Sequence, residues 1–342
     1  MSHVHDDESR ADAHLRPRRQ FLKKSFTFFG AAASTAATAR SKPTRESEAL
    51  ASEALPEPRE IAPPKPSHAA GNAEPWQVFD AHLHCPSDQS RQVWQWYPVT
   101  KSFAEFASYL TRTGVQRGII NNVQSQLAKT PAEFIAGNRE VARYVEQYKG
   151  RFVGASVVNP LFIDEALREI EDCRKQLGFV WVGELCNYTV PYQYTVKEFE
   201  QLVQQVVKMN MVLDVHTELE EMDYIIGKFP QATLVFPHFG DSNEGQHIFK
   251  RIDAVAKHPN CYLDTSGYGH DRVGMLEYAV KAVGPDRVLF GSDFSINDPS
   301  TVIARIQNAF LSVEEKRKIL SENLQALLKK VQSSILGLNR PW

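Results

Sequence analysis

Neither sign of charge is in excess: 39 Lys and Arg stand against 41 Asp and Glu, a formal net charge of −2 over 342 residues. So balanced a chain has no basic field to hold nucleic acid by phosphate neutralisation, and no acidic tail. Cysteine is scarce. Cys85, Cys173, Cys186 and Cys261 are the four, and none forms a C-x-x-C pair. That excludes a thiolate metal cluster and a disulfide framework, and reads them as free or buried thiols. No apolar run reaches the roughly 20 residues that span a bilayer, so no permanent membrane span is expected. What is left, 42% apolar, 23% charged and 10% aromatic, is an ordinary globular composition that excludes disordered, collagenous and coiled-coil chains.

The amino end reads as separate from the fold. Arg18-Arg19-Gln20-Phe21-Leu22-Lys23-Lys24 precedes a modestly apolar run from Ser25 to Ala39, which closes on Ala37-Thr38-Ala39. A charged region, an apolar region and a small-x-small cleavage pattern in that order resemble a twin-arginine export signal. This predicts a signal peptide over 1–39, the twin-arginine export machinery as a partner, and a periplasmic or extracellular destination. Residues 40–73, rich in Pro, Ala, Ser and Glu without an apolar period, read as a linker.

From Val78 onward, short β-rich runs alternate with helical patterns. The runs are Val78 to His84, Arg117 to Val123, Phe152 to Val158, Phe179 to Leu185, Met211 to His216, Thr233 to His238, Cys261 to Thr265 and Arg287 to Asp293. Between them, apolar residues recur three or four apart, as in Phe103-Phe106-Leu110 and Phe199-Val203-Val206. Eight such units over roughly 260 residues predict an α/β fold, a (β/α)8 TIM barrel, across 74–342. An open doubly wound sheet is the alternative, but no Gly-rich phosphate turn follows any run. Ser312 to Leu336 continues as an extra C-terminal helix, expected to pack outside the barrel.

Polar residues gather at the carboxyl ends of the strands, where barrels of this kind place their chemistry. His82 and His84, Glu184, His216, His238 and Asp293 are candidate metal ligands that should converge. His82 and His84 are two apart on a strand, so both point to one face, leaving Ala81 and Leu83 to face the helices. Imidazole with carboxylate suits a divalent metal such as Zn2+, one ion or two, with Mn2+ or Fe2+ as alternatives.

Taken together, Asp80-Ala81-His82-Leu83-His84, Val182-Gly183-Glu184-Leu185, Asp214-Val215-His216, Phe236-Pro237-His238-Phe239-Gly240, Leu289-Phe290-Gly291-Ser292-Asp293 and Ile319-Leu320-Ser321-Glu322-Asn323-Leu324 resemble the amidohydrolase superfamily. The resemblance is to its amidohydrolase-related branch, which also contains decarboxylases of the aminocarboxymuconate-semialdehyde type. It implies that His82, His84, His216 and Asp293 surround a divalent metal, with His238 a further ligand or a base. Many members carry a carboxylated lysine where this chain has Glu184, which can bridge two ions or serve one. The expected chemistry is attack by a metal-activated water on an amide, ester or lactone, Asp293 moving the proton and His238 stabilising the oxyanion. Decarboxylation within the same family is the alternative, and a non-catalytic metal- or ligand-binding barrel the second.

The substrate is expected to be a small molecule. Trp94, Trp96 and Tyr97, and Asn187, Tyr188, Tyr192 and Tyr194, fall in loops that either wall the site or anchor themselves. Asn121, Asn122 and Asn159 end the second and third strands, and Arg91 and Arg272 lie in loops that offer an anion clamp.

Overall fold

The computed structural model describes residues 76–87, 102–240 and 245–332. The expected export signal, the linker, and the loop residues Arg91, Trp94, Trp96 and Tyr97 lie outside these.

Eight parallel strands follow one another round the sheet in sequence order. They are β1 Phe79–Cys85, β2 Arg117–Asn122, β3 Phe152–Ser156, β4 Trp181–Cys186, β5 Val212–His216, β6 Thr233–Phe236, β7 Cys261–Asp264 and β8 Val288–Leu289. The ring is drawn together between its ends by Ala81 N to Phe290 O at 2.8 Å, Asp293 N to His82 O at 3.0 Å and His84 N to Phe294 O at 2.6 Å. The TIM barrel read from the repeating pattern is therefore the fold.

Among the described residues the helices are α1 Phe103–Arg112, α2 Val123–Gln126, α3 Pro131–Gln147, α4 Ile163–Lys175, α5 Lys197–Lys208, α6 Leu219–Lys228, α7 Gly245–Ala256, α8 Met275–Val283, α9 Pro299–Gln307, α10 Val313–Arg317 and α11 Asn323–Gln332. Local chemistry sets their starts: Ser102 Oγ accepts from Glu105 N at 3.2 Å at the head of α1, satisfying a donor with no partner inside the helix. The same helix buries Phe103, Phe106, Ala107 and Leu110, the three-and-four spacing that faces one stripe inward.

Two apolar layers result. Leu83, Ile120, Val182, Leu213, Leu234, Phe236, Leu263 and Phe290 pack outward against the helices. Phe79, Ala81, Ile119, Val153, Ala155, Trp181, Val212, Val235, Tyr262 and Leu289 fill the barrel. Ala81 thus faces the interior, not the helices as strict alternation had suggested.

The C-terminal segment is also placed differently. α11 does not lie outside the barrel; Leu324, Leu327, Leu328 and Val331 join the interior cluster. Asn323 Nδ2 donates to Val288 O at 2.8 Å, where β8 begins, and Asn210 Nδ2 to Val331 O at 2.7 Å, just before β5. α11 therefore plugs the amino-terminal mouth. The physical reason is that the lowest layer of a barrel interior has no further strand residues beneath it, and an apolar helix face covers it at about 1.5–3 kcal/mol per buried Leu.

Candidate functional site

Two strand irregularities aim the site. In β1, Asp80 pairs with Gly118 but Leu83 with Ile120, so three steps oppose two. The extra residue lets His82 and His84 share the interior with Phe79 and Ala81. In β4, Val182 pairs with Leu213 but Leu185 with Val215, and the same offset turns Glu184 inward. Only glycine fits that bend: Gly183 has φ 128°, and a Cβ there would lie 2.1 Å from Asp214 O.

β6 and β8 stop before their functional residues. His238 and Asp293 lie past Phe236 and Leu289, in left-handed backbone at φ 63° and 60°. For residues with a Cβ this costs roughly 1–2 kcal/mol, a strain that surrounding contacts must over-determine. Some of those contacts are visible. Arg251 of α7, fully buried, donates to Thr217 O and to Pro237 O at 3.1 Å, gripping the chain beside both His216 and His238. Gly267, at φ 60°, leaves the space His238 occupies, since a Cβ would come within 2.2 Å of His238 Nδ1.

The side chains converge. His82 Nε2 is 3.1 Å from His84 Nε2, and these lie 3.5 and 3.6 Å from Glu184 Oε2. Asp293 Oδ1 is 3.0 Å from His84 Nε2 and 3.7 Å from His82 Nε2. His216 Nδ1 meets the other oxygen of Glu184, Oε1, at 2.9 Å. His238 stacks at 5.7 Å from the His82 ring and edge-on at 5.0 Å from the His216 ring. All six candidate residues thus meet at the carboxyl end of the barrel.

Hydrogen bonds behind the cluster fix its tautomers. His82 Nδ1 faces Asp264 Oδ2 at 3.1 Å, and His84 Nδ1 faces Asn121 Oδ1 at 2.9 Å. Both partners only accept, so each Nδ1 carries the proton and each Nε2 is left with a bare lone pair. Ser266 Oγ donates to Asp264 Oδ1 and therefore accepts from His238 Nδ1 at 2.9 Å, leaving His238 Nε2 bare as well.

That arrangement tests the fit of a cation. Two imidazole lone pairs and two carboxylate oxygens face one another with no hydrogen between them, which is repulsive unless a positive charge sits there. Donors about 2.1 Å from a common ion lie roughly 3.0–3.4 Å apart, close to the separations observed. His82, His84 and Glu184 accordingly form a group able to hold a metal ion.

The electrostatics agree. Burial alone would raise the Glu184 carboxyl, yet His82 and His216 hold it well below its ordinary range. Burial alone would depress His82, yet Glu184 and Asp264 push it well up. With no ion present the pocket favours an added proton on His82 Nε2, in the place a cation would otherwise take, which is the behaviour of a site short of positive charge. His238 goes the other way, kept neutral by burial and by the neighbouring His216.

Other expectations divide. Asn121 positions His84. Asn122 instead accepts from Gln124 N at 2.8 Å at the head of α2, and Asn159 accepts from Leu161 N at 2.9 Å. Tyr194 is buried against Phe199, and Tyr192 packs on it, so these two anchor the loop. Tyr188 is half-exposed, with its ring 5.0 Å from His216. Asn187 donates to Glu221 Oε1 at 2.6 Å, and Arg272 is exposed.

Sequence reasoning missed Asp264, Ser266, Gln126 and Cys186. Gln126 Nε2 donates to Glu184 Oε2 at 3.1 Å. For Asp264 and Ser266, and for Glu184 and Cys186, the available signal was the two-residue spacing already used for His82 and His84.

An eight-stranded barrel with imidazoles and carboxylates converging at its carboxyl mouth defines a metal-site TIM-barrel enzyme. The chain belongs to the Amidohydrolase family, which residues 79–330 match. It is 23% identical over 260 residues to the gamma-resorcylate decarboxylase of Polaromonas sp. strain JS666, covering 60% of this chain and 77% of that protein. In fold it resembles the 2,6-dihydroxybenzoate decarboxylase from Rhizobium, with TM-score 0.59 and 15% identity over 75% of this chain and 99% of that one. It likewise resembles a dihydroxybenzoic acid decarboxylase from Polaromonas sp. JS666, solved with bound manganese and the inhibitor 2-nitroresorcinol. There the TM-score is 0.60 and identity 17%, over 74% and 97% of the two chains. These relatives are decarboxylases, which moves the balance away from the hydrolase expected from the ligand types. The bound metal in the last is manganese, and zinc has no comparable support.

Proposed function

We propose that the protein is a metal-dependent decarboxylase acting on a hydroxylated aromatic carboxylate. The similarity to gamma-resorcylate decarboxylase across 77% of that protein carries the reaction class, and the cluster of bare donors supports a metal within it. His82, His84, Glu184 and Asp293 would hold the ion, and the harder oxygen donors suit Mn2+ as well as Zn2+. His216 steadies Glu184 through Oε1, and His238 faces the site as a neutral acceptor. Bound there, a divalent cation would neutralise the substrate's carboxylate and an adjacent phenolic oxygen.

The chain's own part is proton delivery and orientation. Asp293, at the rim of the cluster with Asn297 Nδ2 3.4 Å from its Oδ2, takes up a proton from solvent and passes it to the ring carbon that bears the carboxyl group. As that C–H bond forms, the ring–carboxyl bond breaks; its electron pair stays with the ring, restoring aromaticity, and CO2 leaves. His238 Nε2 accepts a hydrogen bond from a substrate hydroxyl and so orients the ring.

Hydrolysis is the second reading, favoured by the Glu184 carboxylate dividing its oxygens between the cluster and His216. One experiment separates them. Mn2+-loaded protein is incubated with 2,6-dihydroxybenzoate and related hydroxybenzoates, and in parallel with aryl lactones and anilides. CO2 and a phenol of matching mass from the first set are expected. Turnover of the second set with no CO2 from any member of the first refutes decarboxylation.

A further inference from the structure

Ser266 follows Asp264 by two, just past the carboxyl end of β7, and both are wholly buried. Its Oγ meets three polar groups: Asp264 Oδ1, His238 Nδ1 at 2.9 Å and His82 Nδ1 at 3.3 Å. A hydroxyl has one hydrogen to give and two lone pairs that receive. Burial would raise the Asp264 carboxyl, but His82 holds it below its ordinary range, so it is a charged acceptor. The hydroxyl hydrogen goes there, because such a bond is roughly twice as strong as one between neutral groups. His82 Nδ1 already points its proton at Asp264 Oδ2 and cannot take the hydrogen either. Toward His238, therefore, Ser266 offers a lone pair, and Nδ1 must supply the proton. Gly267, next along the chain, gives the ring room to come this close, since a Cβ there would lie 2.2 Å from Nδ1. Burial and His216 keep His238 neutral. Its single ring proton goes to Ser266, and Nε2 can only accept.

We propose that Ser266 is a positioning residue that decides substrate specificity. By holding His238 as an acceptor, it makes the site select aromatic carboxylates with a second free hydroxyl and reject ethers, halides and ketones at that place. The inference rests on the decarboxylase reading for the kind of substrate, and on hydrogen-bond geometry for the role of Ser266. An ether oxygen or a halogen would turn lone pairs toward the lone pair of Nε2. Leaving a buried acceptor unpaired in this way lowers affinity by up to about 100-fold. Without the Ser266 hydroxyl, neither ring nitrogen of His238 has a fixed role. The proton can then move to Nε2 and donate to the ether or halogen, so the preference weakens. The metal cluster should keep its geometry, because His82 still meets Asp264 Oδ2 and the backbone N–H of residue 266 still donates to Asp264 Oδ1 at 2.8 Å.

The test has two readouts on the full chain. With Zn2+ bound and the histidine rings isotopically labelled, nitrogen NMR shows which nitrogen of His238 carries the proton, its signals being identified by their loss in His238→Gln. The parent should hold the proton on Nδ1. Ser266→Ala should lose that preference, and Ser266→Thr, which keeps the hydroxyl, should restore it. Calorimetry on Mn2+-loaded protein then compares 2,6-dihydroxybenzoate with 2-fluoro-6-hydroxybenzoate, whose fluorine can accept but not donate. The parent should prefer the dihydroxy compound by about 100-fold, and Ser266→Ala should cut that preference about tenfold while its Mn2+ affinity stays within about threefold of the parent. A merely structural role for Ser266 would weaken both compounds alike. A proton on Nε2 in the parent, or a preference that Ser266→Ala leaves within about threefold, overturns the assignment. If neither benzoate binds while the proton sits on Nδ1, the decarboxylase reading falls, and the selection that rests on it falls too.

Discussion

Asp264→Asn is the most incisive perturbation, because it alters one atom and the consequence can be traced bond by bond. Asp264 accepts from His82 Nδ1 at 3.1 Å, Ser266 N at 2.8 Å, Ser266 Oγ, and more weakly His238 N at 3.4 Å. An asparagine has one accepting oxygen, and the two Ser266 donors claim it. Its NH2 then points at His82 Nδ1 and forces that nitrogen to become the acceptor. The ring proton moves to Nε2, straight into the cluster where His84 Nε2 lies 3.1 Å away, and His82 can no longer ligate. Groups that hold a metal-binding histidine typically contribute 10–100-fold in metal affinity, or about 1.4–2.7 kcal/mol at 1.36 kcal/mol per decade. The assay is Mn2+ affinity by chelator competition on four proteins: parent, Asp264→Asn, His82→Ala and the double variant. Because both changes remove the same ligand, their effects should not add. Mn2+ binding within threefold of the parent, or fully additive losses, refutes the tautomer argument.

Other outcomes follow from the same structure. Asp293→Asn keeps an oxygen toward the cluster but removes the proton carrier, so metal should be largely retained while kcat falls by about 10² to 10⁴; a fully metal-loaded variant within threefold of the parent would shift the role to His238. Leu327→Ala, truncating a 2%-exposed side chain of the barrel plug, should cost about 2–5 kcal/mol by urea denaturation, and a loss under about 1 kcal/mol would mean that α11 seals nothing. His270 is buried with Nδ1 unpartnered, and burial drops its pKa from 6.5 to about 4. Its depressed value makes the neutral form the folded one, so its contribution is complete above pH 6.5 and is lost as pH falls toward 4, a swing of about 3 kcal/mol. His270→Gln should flatten that part of the stability profile, and parallel profiles would remove His270 as the cause. On the proposal that residues 1–39 are a twin-arginine export signal, changing Arg18 and Arg19 together to Lys should hold the chain in the cytoplasm, because such an address is read as paired guanidinium groups; normal secretion of that variant argues for another route.

The repeating strand and helix pattern determined the barrel, and with it the end at which chemistry sits. Periodicity is a local property, and eight strand–helix units with no Gly-rich phosphate turn after any strand favour the closed barrel over an open doubly wound sheet. His82, His84, Glu184, His216, His238 and Asp293 were legible for the same reason, each standing at or just past the carboxyl end of an apolar run. Tertiary structure decided what depends on register. The one-residue offsets in β1 and β4 turn Glu184 inward, bring Cys186 beside His216 and put Ala81 in the core. An extra residue in one strand is visible only against the partner it fails to match. The Asp264–Ser266–His238 relay and the grip of Arg251 on two loops join residues remote in sequence, which no spacing rule connects. The role of α11 was hidden likewise. Its apolar stripe shows that one face must be buried, but the place is set by the open amino-terminal mouth of a barrel that exists only once all eight strands have closed.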